Sequence, residues 1–271
     1  MYNSDLQNTS AEQIAYLNGL RRRKRQIKLC QLFILVAFVA AWELSARFGI
    51  IDAFIFSQPS RMLSSAIDMC ISGSIFKHIG VTVFETVLGF TMGTVMGTAM
   101  AVLLWWNSFI NEVSEPYLVV FNSLPKTALA PIIIVWLGNN MSSIIATALL
   151  TSVIVTVLNV SAGFADVDNE KIKLIYTFGG TKKQVLTKVI LPASVPAIIN
   201  ALKINVGLSF VGVIVGEFLV AKAGLGYLIV YGSQVFKLDW VMLSVVILAI
   251  LAAFMYKSII LLEKKIMKWR E

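Results

Sequence analysis

Long apolar runs alternate with short polar segments along the chain, and the runs are long enough to cross a lipid bilayer. A helix needs about 20 residues to span the hydrocarbon core. Residues 29–48, 80–106, 117–137, 144–163, 196–220 and 240–262 meet that length. The first run holds Glu43 near its far end, the second closes on Trp105 and Trp106, which suit the membrane interface, and the fourth carries no charge. Residues 59–72 predict a short helix lying at the membrane surface. The pattern predicts an all-α fold: a polytopic bundle of six transmembrane helices, with no internal repeat and no low-complexity stretch. Residues 1–28 read as a cytoplasmic N-terminal tail whose first 19 residues are only partly ordered. They are polar for too long to be a cleavable signal peptide.

Charge sets the orientation. Of the Lys and Arg residues, six fall in 1–28, none in 107–116, five in 165–195 and four near the C-terminus, whereas the opposite loops hold only Arg61, Lys77, Lys222 and Lys237. Basic residues collect on the cytoplasmic side, so both termini are expected there. The +8 net charge thus reflects membrane orientation rather than nucleic-acid binding, since the basic residues sit at segment ends. Only 14% of the residues are charged and 58% are hydrophobic, where a soluble domain carries about 25% charged residues. One histidine, His78, and two widely spaced cysteines, Cys30 and Cys70, predict no metal site and no redox motif.

Inside the spans, small residues and isolated charges stand out. Gly89, Gly93 and Gly97 recur every four residues, and Ala101 continues the line. That spacing opens one helix face to close approach by another backbone; Gly212 and Gly216 repeat it in the fifth span. Charges in a span usually face a cavity or a partner, which makes Glu217, Lys203 and Glu85 candidate pathway residues. The plainer reading has each reach an interface, with Glu217 in water near its span end. Glu85 and Lys203 fall near opposite membrane faces and are not expected to pair.

The loop between the fourth and fifth runs carries the sharpest local signals. Asp166, Asp168 and Glu170 suit a helix start, residues 171–178 read as helix, and Gly179-Gly180 supplies its stop. Thr181-Lys-Lys-Gln184 is a capping-box pattern that opens a second short helix, and Leu191-Pro192 is expected to end it. Two short helices joined at a double glycine are either an ordinary surface hairpin or a docking element for a cytoplasmic partner.

In this loop the sequence resembles the permease subunits of type I ATP-binding-cassette importers, whose signature runs Glu-Ala-Ala, three residues, Gly, nine residues, then Ile-x-Leu-Pro. Gly179 followed after nine residues by Val189-Ile190-Leu191-Pro192 matches that spacing, while Lys173-Leu174-Ile175 stands where Glu-Ala-Ala would be. Ser57-Gln58-Pro59-Ser60, the stretch from Pro125 to Pro131, Gly216-Glu217 and the stretch from Ala223 to Tyr227 resemble the branch handling nitrate, taurine, alkanesulfonates and thiamine precursors. The resemblance implies a single permease domain over residues 29–271, its core about 76–262 and its coupling loop 165–192. It implies a bacterial inner-membrane location, a second and identical permease subunit, a dimer of cytoplasmic ATP-binding subunits and an extracellular substrate-binding protein. Lys173, Phe178, Gly179, Gly180, Thr181, Val189, Leu191 and Pro192 are the implied ATPase-coupling positions. ATP and Mg would be bound by the partner ATPase, with no cofactor in this chain.

From the residues themselves, the chain carries no Gly-x-x-x-x-Gly-Lys-Ser/Thr phosphate loop and no cluster of nucleophiles, so it is expected to be a non-catalytic subunit. The alternative is an ion-gradient-driven secondary transporter, which would need broken helix pairs and intramembrane carboxylates or histidines.

Overall fold

The computed structural model describes residues 11–267, which are helical with no strand. In chain order the helices are α1 (Ala11–Arg47), α2 (Pro59–Ile71), α3 (Ser74–Trp106), α4 (Ser108–Ser123), α5 (Ala130–Leu137), α6 (Met141–Ala165), α7 (Asn169–Thr177), α8 (Lys182–Val185), α9 (Leu191–Val220), α10 (Leu225–Gln234) and α11 (Leu238–Ile266). Five continuous helical stretches are long and apolar enough to cross a membrane. A sixth arises if Ser108–Ser123 and Lys126–Leu137, bent by 87°, count as one. The first ten residues of the expected tail, and the basic residues Lys268 and Arg270, lie outside the described residues.

The chain divides into two compact units, residues 1–64 and 65–271. In the first unit, the tail expected over residues 1–28 is helical from Ala11 and runs without a break into the first span. Its Arg, Lys, Gln and Glu side chains lose little freedom in a helix, so nothing interrupts the helix at the basic run. Glu43 then ties the end of α1 to the start of α2, taking hydrogen bonds from Arg47 Nε at 2.7 Å and from Ser60 N at 3.0 Å. A carboxylate there faces the positive end of the helix dipole.

The second unit is built on α3, α6 and α9. The centre is α6, whose Ser143, Thr147, Ala148, Thr151, Ser152 and Thr156 are buried. These small side chains let two neighbours approach closely. A Cβ on Gly89, Gly93 or Gly97 of α3 would run into Ala148, Ser152 or Thr156, and one on Gly212 or Gly216 of α9 into Ala148 or Ile144. Three of the buried α6 hydroxyls bond back along their own helix: Thr147 to Ser143 O, Ser152 to Ala148 O and Thr156 to Ser152 O, at 2.8 to 2.9 Å. Asn205 of α9 staples the three helices, donating to Thr94 of α3 at 3.0 Å and Thr156 of α6 at 2.6 Å.

Two expected boundaries fall differently. The third run is not one helix over 117–137: the chain is already helical from Ser108, then breaks at Leu124-Pro125 and turns through a 3-10 segment, Lys126–Leu129, into α5. Pro125 has no N–H to continue the ladder, and it pushes Leu124 into an extended conformation. Leu191-Pro192 does not end the second hairpin helix either. A π-helical segment, Leu186–Ile190, joins α8 to α9, so Lys182–Val220 forms one 39-residue helical stretch. Leu191 N bonds back to Leu186 O. This wider turn lets the helix absorb the donor that Pro192 lacks.

Candidate functional site

Two sites lie at opposite ends of the helices of the second unit. The first is the α7–α8 hairpin. Asp168 caps α7, accepting from Glu170 N at 2.8 Å. At its other end Gly179 N bonds to Tyr176 O and Gly180 N to Ile175 O, both at 2.9 Å. That pair of bonds closes a helix on a residue with left-handed backbone, and Gly179 has φ 75°. Gly180 lies so close that a Cβ there would strike the Ile175 side chain. Thr181 and Gln184 then form the reciprocal capping box, with Thr181 N donating to Gln184 Oε1 at 2.7 Å.

The base of the hairpin is buried and its tip is not. Val185, Leu186 and Ile190 pack with Ala101 of α3, Val160 and Phe164 of α6, and Val167. Lys182 Nζ donates to Trp106 O at 2.7 Å and lies over the rings of Trp105 and Trp106. Its charge thus meets the negative end of α3. At the tip Phe178 is 81% exposed, and a Cβ added to Gly179 would meet nothing within 4 Å. Lys173 and Thr181 are exposed beside it, Val189 is half-buried at the base, and Leu191 and Pro192 begin α9. The hairpin therefore offers an apolar tip on a rigid mount that continues into a membrane-spanning helix.

The second site is the start of α10, inside the stretch expected to be a plain loop. Four successive N–H groups of this helix end would otherwise lack partners. Gly224 N donates to His78 Nδ1 at 3.0 Å and Leu225 N to Thr82 Oγ1 at 2.8 Å, while Gly226 N (2.5 Å) and Tyr227 N donate to the Glu217 carboxylate. Thr82 Oγ1 in turn donates a hydrogen bond to Glu217 Oε1 at 2.6 Å. Side chains on Gly224 or Gly226 would occupy the space of the Glu217 carboxylate. The ring of His78 stacks on Tyr227, and Tyr227 on Tyr231.

The candidate pathway charges thus have different fates. Glu85 and Glu217, only 2% and 1% exposed, sit in hydrogen-bonding contact with each other, so neither reaches an interface or bulk water. Glu85 also lines a cavity of about 240 Å³ with Asn139, Asn140 and Lys222. Lys203 is elsewhere: it pairs with Glu263 of α11 at 2.8 Å and is half-buried. Sequence reasoning missed Thr82, His78, Glu263 and Lys182. The pair of glycines after Glu217, at 224 and 226, was the available signal for a carboxylate seated on a helix start.

A family model described as "Binding-protein-dependent transport system inner membrane component" matches residues 89–267. The chain is 25% identical over 265 residues to a putative aliphatic sulfonates transport permease protein, SsuC, of Bacillus subtilis, covering 98% of this chain and 95% of that one. It is 30% identical over 240 residues to the formylaminopyrimidine transport permease protein ThiX of Halalkalibacterium halodurans, covering 89% and 95%. Among solved structures, an inward-facing MetNI methionine ABC transporter aligns with TM-score 0.63 at 20% identity, over 71% of this chain and 95% of that chain. An amino acid ABC transporter aligns with TM-score 0.61 at 19% identity, over 75% and 98%. At those identities the structural likeness is one of fold.

Proposed function

The chain belongs to the family of binding-protein-dependent transport system inner membrane components, and we propose that it couples a membrane pathway to a partner ATPase through the α7–α8 hairpin. It is a multi-pass inner-membrane protein, the transmembrane subunit of an ATP-driven ABC importer, and such subunits work with ATPase and substrate-binding partners. The observation that carries the coupling reading is the exposed Phe178-Gly179 tip on a base continuous with α9. A partner that grips the tip moves α9 as a rod, because the helix runs unbroken from Lys182 to Val220. Gly212 and Gly216 lie close against Ala148 and Ile144 of α6, and Asn205 bonded to Thr156 ties the two helices together, so motion of α9 is passed to α6.

In this reading two identical copies line the pathway, related by the two-fold symmetry usual for such pairs. A dimer of ATP-binding subunits, which holds the ATP and Mg, engages the two hairpins. A separate extracellular binding protein delivers the solute. The relatives' names, aliphatic sulfonates and formylaminopyrimidine, support a small polar organic solute as cargo. Both termini and the hairpin lie in the cytoplasm. A cysteine replacing Asn139 should be labelled by an impermeant reagent from outside, and one replacing Lys183 only after the membrane is opened. Both tests need a background lacking Cys30 and Cys70, which are exposed. The reverse labelling pattern would invert the topology.

The decisive functional test is reconstitution. The purified chain should neither bind nor hydrolyse ATP, for want of a phosphate loop, and proteoliposomes should accumulate solute only with the ATPase, ATP and binding protein all present. Uptake driven by an ion gradient without the ATPase would overturn the proposal.

A further inference from the structure

We infer that Glu85 and Glu217 form a buried proton-binding site, in which Glu85 is the acid, Glu217 the carboxylate, and the proton between them fastens α3 to the start of α10. The contact between the two carboxyl groups is the first ground. Two carboxyls in hydrogen-bonding contact need a proton, and two ionised ones cannot share a desolvated site. The distribution of donors decides which group is ionised. Glu217 accepts from Thr82 Oγ1, Gly226 N and Tyr227 N, and it sits at the N-terminus of α10, where a negative charge is favoured. Glu85 Oε2, by contrast, is buried and receives no donor. A carboxylate oxygen in that position would be desolvated without compensation, whereas a protonated one donates to Glu217.

The other groups around the pair leave it without a counter-cation. From α3 comes His78, whose Nδ1 lies 3.0 Å from Gly224 N and 3.2 Å from Gly224 O and which makes no ion pair with either carboxyl among the described residues. Lys77 adjoins His78 in sequence. From the start of α10 comes the Tyr227 phenol, stacked on His78. Lys222 lines the cavity beside Glu85 but makes no ion pair with either carboxyl among the described residues, and Asn139 and Asn140 complete that wall as neutral amides. The cavity gives the proton an exchange route toward the end of the bundle opposite the hairpin. Through this proton, Glu85 acts as a positioning residue for the stretch from Ala221 to Gly226.

The test is infrared spectroscopy of the full chain in lipid nanodiscs at neutral pH, reading the carbonyl stretch of a protonated carboxylic acid, which lies apart from the carboxylate bands. Wild type should show this band. Glu85→Gln should abolish it while keeping the yield of folded protein, because an amide N–H still donates to Glu217. Glu85→Asp retains an acid and should shift the band, which keeps the test open if the glutamine variant does not fold. Absence of the acid band in wild type, or its persistence unchanged in Glu85→Gln, would overturn the assignment.

Discussion

Leucine in place of Gly93 is expected to remove most of the folded protein. A Cβ at that position would land on Ser152 of α6, and Gly89 and Gly97 on either side lie just as close to Ala148 and Thr156. The two helices therefore meet almost backbone to backbone over two turns, an approach that only small residues permit. Leucine adds three further carbons beyond that Cβ, and neither helix can retreat without breaking contacts at the flanking glycines. Overpacking of this kind costs about 1–3 kcal/mol or more, so monodisperse protein should fall by about tenfold. Gly80→Leu on the same helix is the control, because a Cβ there meets nothing within 4 Å and yield should stay near wild type. Equal yields of the two variants, read by size-exclusion chromatography of detergent extracts, would remove α3–α6 packing from the account.

The glycine line was legible because its period of four matches the helix, and six apolar runs appear whatever packs beside them. The hairpin was legible for a similar reason: the Gly179-Gly180 stop and the Thr181 to Gln184 box are local devices, closed by bonds across a few residues. The errors came where a local signal was answered by a distant group. Leu191-Pro192 reads as a helix end, yet the lost donor is absorbed by a π segment whose Leu186 and Ile190 are held down by Ala101 and Val160. Glu217 reads as a span-end charge in water, yet its donors include Thr82, 135 residues away. Neither α10 nor its seat could be read from the stretch between the last two runs, because the caps of its first N–H groups come from α3 and α9. Lys203 found its partner in Glu263 for the same reason: only the fold brings them together.

The second large effect expected is the loss of coupling in Gly179→Asp. Gly179 has φ 75°, and its missing side chain would point into open space. Aspartate tolerates left-handed backbone better than most residues, so the cost to the fold is about 1–2 kcal/mol at most. The six apolar stretches are untouched, and the hairpin base stays packed through Val185, Leu186 and Ile190. What changes is the tip, where a carboxylate now stands beside the exposed Phe178 ring. A partner fitted to an apolar, side-chain-free turn must desolvate that charge or stand away from it, either of which costs several-fold to many-fold in affinity. The most direct measurement compares wild type and Gly179→Asp, each coexpressed with its ATPase and binding protein, for permease level, ATPase retained on purification and ATP-driven uptake. Permease level is expected within about twofold of wild type, with ATPase retention and uptake both reduced by about tenfold or more. Wild-type uptake with a full complement of ATPase would contradict it, because the hairpin tip would then not be the place where the ATPase takes hold.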